Sequence, residues 1–249
     1  MRLSKRKMSY SIVGISIVLM LLVLVLAQSG LHESGGIVLP AEQVDTGDAE
    51  DAGASEGLDV VQITPDTVQP AINTLSRPVT YTRTQSVETF WSGGSGTSVS
   101  QVSVSGGRTR IDTPLPDGSI CHMLVIGGNA AVWYDDETTW TVLTAEQFTA
   151  DIAQRMLTYE TVRDLPVSDI AEANYQELEG VNCIYVATHA DADGYASSYW
   201  VSVSSGLLKQ AERRCNGELV YRFTAEDTNL AAPEEELFLL PDGSVWNVS

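Results

Sequence analysis

The sequence predicts an α+β fold: a large curled antiparallel sheet closed by two or so helices and preceded by an N-terminal transmembrane helix. Three observations point there. Residues 181–225 read as four successive strands joined by short turns, with aromatics repeating on alternate positions. Two stretches, 64–75 and 144–159, carry apolar residues at helical spacing. Four basic residues, Arg2, Lys5, Arg6 and Lys7, precede a long uncharged apolar run.

The centre of that run, residues 12–27, is almost entirely Ile, Val, Leu and Met. As a helix it spans about 24 Å, and extension over residues 10–31 gives about 33 Å, against a hydrocarbon core of about 30 Å. Residues 1–31 therefore read as a cytoplasmic basic stub and signal-anchor. The basic flank before the run leaves the C-terminal part extracytoplasmic and the chain single-pass in the cell membrane. Val25-Leu26-Ala27 keeps a cleaved signal peptide, and so a secreted product, as the alternative. Residues 32–58 hold seven acidic residues, no Lys or Arg and no aromatic ring. They bring too little apolar surface to offset the entropy of ordering and read as an acidic disordered tether. Residues 59–249 remain for one exported domain with a sizeable core. The whole chain has 33 acidic residues against 14 basic, four of the latter before the apolar run. Such a surface repels nucleic acid and excludes it as a partner.

The domain's elements follow in order. Thr64-Pro65-Asp66 offers a cap, a proline at N1 and an early carboxylate, and Val68, Ile72 and Leu75 continue one helical stripe. Pro70 either bends this helix or marks its true start, and Pro78 ends it. Residues 79–91 form a long strand with Tyr81, Arg83, Gln85, Val87, Thr89 and Trp91 on one face. A Gly/Ser loop at 92–96 turns the chain into a second strand, 99–112, open to a break at Gly106-Gly107. After the turn Pro116-Asp117-Gly118 come three more strands, 120–126, 131–135 and 139–143. Thr144-Ala145-Glu146-Gln147 is a capping box opening a second helix, whose stripe is Phe148, Ile152, Met156 and Tyr159. Residues 175–178 and 181–189 pair across Glu179-Gly180, and the meander continues to 225. Residues 236–240 read as a last edge element.

On these residues the chain resembles the LolA-like superfamily over 64–245. The resemblance rests on the strand-turn-strand Tyr199-Trp200-Val201-Ser202-Val203-Ser204-Ser205-Gly206-Leu207-Leu208-Lys209 and the hairpin Asn216-Gly217-Glu218-Leu219-Val220-Tyr221. It is completed by Leu237-Phe238-Leu239-Leu240-Pro241-Asp242-Gly243. It implies a half-open β-barrel of about eleven strands closed by helices. Members bind acyl chains of lipoproteins or partner proteins of the cell envelope. A membrane tether departs from the freely diffusing carriers. The chain is accordingly read as a membrane-tethered extracytoplasmic protein-interaction or sensor module, with a lipid- or acyl-chain-binding, lipoprotein carrier-like role as the alternative. The partners implied are the cell membrane through the N-terminal segment and an acyl chain or envelope protein.

No catalytic, metal or cofactor motif stands against this reading. The histidines, His32, His122 and His189, are scattered, and no Gly-x-Ser-x-Gly occurs. His189 to Gly194 starts like a calcium loop but places Trp200 where a bidentate Glu belongs, so it reads as a hairpin turn. Cys121, Cys183 and Cys215 include no CxxC pair, and Cys183 and Cys215 fall about 9.6 Å apart on alternate strands, too far to bridge. Tyr81, Trp91, Trp133, Trp140, Trp200, Tyr221 and Phe223 are expected on the concave side, as packed core or as the lining of a slot. Two narrow helical stripes cannot cover about ten strands. The expected ligand site is therefore an apolar groove bordered by Tyr81, Trp91, Tyr221 and Phe223.

Overall fold

The computed structural model describes residues 61–247 except 136 and 227, and the side chains of 150 and 151 are not described. The segments read as anchor (1–31) and tether (32–58) lie outside the described residues. Among the described residues no helix is long and apolar enough to cross a membrane.

Eleven strands form one antiparallel sheet: β1 Thr80–Trp91, β2 Gly94–Ser105, β3 Arg108–Pro114, β4 Ile120–Ile126, β5 Asn129–Tyr134, β6 Thr141–Leu143, β7 Ile170–Leu178, β8 Val181–Thr188, β9 Tyr195–Ser202, β10 Leu208–Cys215 and β11 Glu218–Ala225. Their spatial order, β6-β5-β4-β3-β2-β1-β11-β10-β9-β8-β7, joins two meanders through the central pair β1 and β11. The sheet is open, with β6 and β7 at its edges. Turn chemistry explains the regularity. Gly106-Gly107, Gly127-Gly128, Glu179-Gly180 and Asn216-Gly217 are two-residue loops with both φ positive, the twist that antiparallel neighbours need.

The expected strand 99–112 is thus two strands, because the glycine pair makes a hairpin rather than a bulge. The segment 236–240 is also not a strand: a 3-10 turn, Glu235–Phe238, lies there, and only an isolated bridge joins Leu239 to Val245.

Three short helices accompany the sheet: α1 Val68–Thr74, α2 Ala150–Arg155 and α3 Tyr159–Arg163. The first starts later than Thr64. Thr67 N and Val68 N both bond Thr64 O, at 3.1 and 2.9 Å, closing a turn before the helix. Pro70 then falls in the first helical turn, where its missing amide costs nothing. The single helix expected from 144 to 159 is broken. Its capping box is present, Thr144 N donating to Gln147 Oε1 at 2.9 Å, but it opens only a 3-10 turn, Ala145–Gln147. Phe148 and Thr149 are extended before α2, and Thr158 is extended before α3, where its hydroxyl accepts from Glu160 N at 3.2 Å. Both threonines sit at the N-cap of a new helix instead of continuing the old one.

Alternation assigns the two faces. Tyr81, Arg83, Gln85 and Val87 of β1 are buried while the residues between them are half-buried. On this inner face Val68, Ile72 and Val162 of the helices pack with Val87, Phe223, Ile184, Val186 and Val201. Phe148, Ile152 and Met156 pack with Val102, Ile111, Met123 and Ala130. On the outer face, Phe238 and Leu240 cover Leu124, Ala131 and Trp133.

Candidate functional site

The middle of the inner face is filled. Val87 pairs with Phe223 across β1 and β11, and both are buried with Tyr221 in the main core. Tyr221 donates its hydroxyl to Gln154 O at 3.0 Å, and Gln85 Nε2 donates to Arg155 O at 2.6 Å. Two carbonyls at the end of α2 are thereby satisfied from the sheet. Burial pushes the Tyr221 hydroxyl well above its ordinary ionisation range, and the Tyr81 hydroxyl also rises.

All four residues expected to border a groove lie on this face. Tyr81, Tyr221 and Phe223 are 8%, 7% and 0% exposed, whereas Trp91, at the end of β1, is 58% exposed and lies over Gly94 and Gly96. Open space stands instead at the ends of the face. Trp91 borders a cavity of about 280 Å³ with Val87, Thr89 and Gln154. At the opposite end two adjoining cavities, about 460 and 400 Å³, share Arg77, Pro78, Arg83, Leu207 and Leu208 as walls. Tyr81 and Val79 line the smaller, and Leu230, Val181 and Ser202 the larger.

Three tryptophans expected on the concave side are elsewhere. Trp133 and Trp140 belong to the outer cluster under Phe238. Trp200 alternates with the inward Tyr199 and Val201 and therefore faces out, donating Nε1 to Gln176 Oε1 at 3.1 Å, its ring 5.0 Å from that of Tyr185.

The two arginines at the cavity end behave differently. Arg77 is engaged through all three nitrogens: its guanidinium donates to the carbonyls of Ile72, Leu75 and Gly206 and lies 3.6 Å from the Tyr159 ring centroid. It caps the C-terminal end of α1 and straps it to the loop before β10. A side chain at Gly206, where φ is +64, would meet Arg77 Cγ at 2.6 Å and Ser76 O at 2.8 Å, so only glycine admits this approach. Arg83 is 7% exposed. Its Nη1 donates to Leu208 O at 3.1 Å, while Nε is buried with no hydrogen-bond partner among the described residues. Burial lowers its proton affinity. The sequence placed Arg83 on this face and gave it no role. The signal was there: a cation at an inward-facing position of an alternating strand must find a partner or stay costly.

Other titratable groups are held by contacts within the sheet and its turns. Arg110 and His122 both reach Asp112 on the outer face, the histidine at 2.7 Å, and His122 also lies 3.3 Å from Asp135. With Arg110 over the Trp133 ring, this cluster ties β3, β4 and β5 together. In the 189–194 loop, Asp191 Oδ1 accepts from Asp193 N and Tyr195 N at 3.0 and 2.8 Å, which is hairpin chemistry. Among the described residues no group of three His, Cys, Asp or Glu is placed to hold a metal. All three cysteines are free thiols. Cys183 is buried on β8, with β9 between it and Cys215, and burial pushes its thiol up to about 11.

No family profile matches the sequence, and no curated protein matches it. Solved structures are found at low identity. A LolA superfamily protein from Nitrosomonas europaea is 12% identical over 70% of this chain and 97% of its own, with a TM-score of 0.36. The lipoprotein LppX of Mycobacterium tuberculosis is 12% identical over 68% of this chain and 94% of its own, with a TM-score of 0.38. MucB, solved in complex with MucA, is 17% identical over 74% of this chain and 61% of its own, with a TM-score of 0.34. The sheet has the eleven strands that the resemblance to the LolA-like superfamily implied.

Proposed function

We propose that the domain is a non-catalytic binding module that takes an acyl chain or similar apolar segment into the cavities beside Arg83. The observation that carries this reading is the pair of adjoining cavities, about 460 and 400 Å³, within the range of small-molecule sites. Val79 and Leu230 on their rims are 77% and 67% exposed. Apolar side chains held open at a cavity mouth cost water contact that a bound chain removes, at about 0.8 kcal/mol per buried methylene. In this reading the sheet acts as a half-open barrel whose helices close its middle and leave that end accessible. The basic and apolar N-terminus supports placing the domain outside the cell membrane, tethered through residues 1–31 and spaced by the acidic 32–58.

The test is direct. The full chain, held in an uncharged amphipol, is titrated with a neutral fluorescent alkyl probe, and dodecan-1-ol is used to displace it. Saturable binding that dodecan-1-ol competes away supports the reading, and its absence removes it. Trp91 favours a second reading, a tethered protein-interaction or sensor module, because a 58% exposed indole at a hairpin end is a ready partner contact.

A further inference from the structure

We infer that the ligand carries an anion, a carboxylate or phosphate, at its polar end, and that Arg83 receives it from within the cavities. The inference rests on the acyl-binding reading above and specifies its polar contact.

A buried ionised side chain is ordinarily paired. This molecule follows that rule elsewhere. Arg110, 8% exposed, is held by Asp112, and Glu212, 8% exposed, is held by Arg214 and Arg222 at 2.9 and 3.0 Å. Arg83 is as deeply buried, yet among the described residues no carboxylate pairs with it. Its nearest compensation is one carbonyl, Leu208 O, and two rings, Tyr81 and Phe223, each 5.8 Å from the guanidinium carbon, near the outer limit of cation–π attraction.

Position then gives the deficit a use. Arg83 borders both cavities, between Pro78, Leu207 and Leu208, so an oxyanion in either would meet the guanidinium across low-dielectric walls. Charge-assisted contacts are strongest there. The exposed Glu226 and Glu160 on the two rims do not reverse this. Water screens them, and Glu160 already lies 3.3 Å from Arg163. An apolar tail would carry the anion past the acidic surface, which a bare ion must cross alone.

The same full chain and neutral probe are displaced with four competitors: dodecanoate, dodecyl phosphate, dodecan-1-ol and inorganic phosphate. The two anionic amphiphiles should compete about ten- to a hundredfold more strongly than the alcohol, the range expected for a charge-assisted contact. Arg83→Met should abolish that gap, anions and alcohol then competing alike. Equal competition by anions and alcohol in the unaltered protein overturns the inference while the acyl-binding reading stands. Failure of all three amphiphiles removes both. Inorganic phosphate competing as well as dodecyl phosphate makes this a free-anion site and overturns the amphiphile. A gap that persists in Arg83→Met overturns the assignment to Arg83. Should that variant fail to fold, Arg83→Lys, which keeps the charge without the planar fork, should narrow the gap, and an unchanged gap overturns the assignment.

Discussion

Phe223→Ala tests the division of the sheet into a filled centre and open ends. The ring is 0% exposed, paired across the strands with Val87 on one side and Ala211 on the other. Truncation removes its buried area and leaves a void between sheet and helices that closely packed neighbours cannot collapse into, a loss of about 3–5 kcal/mol. For a domain of this size each kcal/mol moves Tm by about 2–4 °C, so a fall of roughly 6–20 °C is expected. Trp200→Ala is the internal control. The larger side chain is only half-buried and faces out, with one hydrogen bond and one ring partner, so its removal should cost about 1–2.5 kcal/mol. Urea unfolding followed by circular dichroism, with m values compared, measures both. A loss below about 1.5 kcal/mol for Phe223→Ala, or a larger loss for Trp200→Ala, would reverse the face assignment on which the site is built.

Glu179→Gly should stabilise the domain by about 0.5–1 kcal/mol, since Glu179 holds φ at +52 in a two-residue turn that glycine enters without Cβ strain. A lower urea midpoint would show that the Glu179 side chain contributes more than its backbone costs. Stability should also fall as pH rises past about 9. The thiol of Cys183 ionises near 9.0 in the unfolded chain and near 11 when buried, so the unfolded state releases its proton first. Its contribution is complete below 9 and lost on approach to 11, with Tyr81 and Tyr221, also raised, adding above 10. Urea midpoints at pH 8 and 10.5 measure this, and Cys183→Ala should flatten the first part of the decline; an unchanged slope would assign it elsewhere.

Much of the sheet was legible because its signals are local. Asn216-Gly217 and Glu179-Gly180 set hairpin register, and alternation along residues 79–91 identified the buried face of β1 correctly. What failed did so where local signals conflict. Thr144 to Gln147 caps a helix in sequence, yet Phe148 and Thr149 leave helical geometry, because a β-branched threonine caps a new helix as readily as it continues an old one. Parity misplaced the tryptophans: aromatics suit either face of a sheet, and one residue of register sends Trp200 outward and Tyr199 inward. For the expected groove residues, place on the sheet was legible and role was not. Tyr81, Tyr221 and Phe223 do share a face with the helices, but whether rings line a groove or fill a core depends on how far the helices reach, which no local pattern encodes.

Reach decides where ligand can go. β1, with 12 residues, runs about 40 Å, whereas α1, with 7, and α2, with 6, cover only about 9–11 Å each. Helices this short roof the centre of the inner face and leave both ends of the long central strand uncovered. The ends are not equivalent. Arg83 and Leu207 give one a buried cation in apolar walls, whereas Trp91 gives the other an exposed ring over glycines. Eight residues of strand separate Arg83 from Trp91, about 26 Å, so a dodecyl chain anchored at one cannot depend on the other. Trp91→Ala should therefore leave dodecanoate affinity within about twofold of the unaltered protein, less than the loss of one ordinary buried contact. A tenfold loss in the same displacement assay would mean that one continuous groove runs past Tyr81, Tyr221 and Phe223 after all. It would also require the helices over those rings to lift when ligand binds.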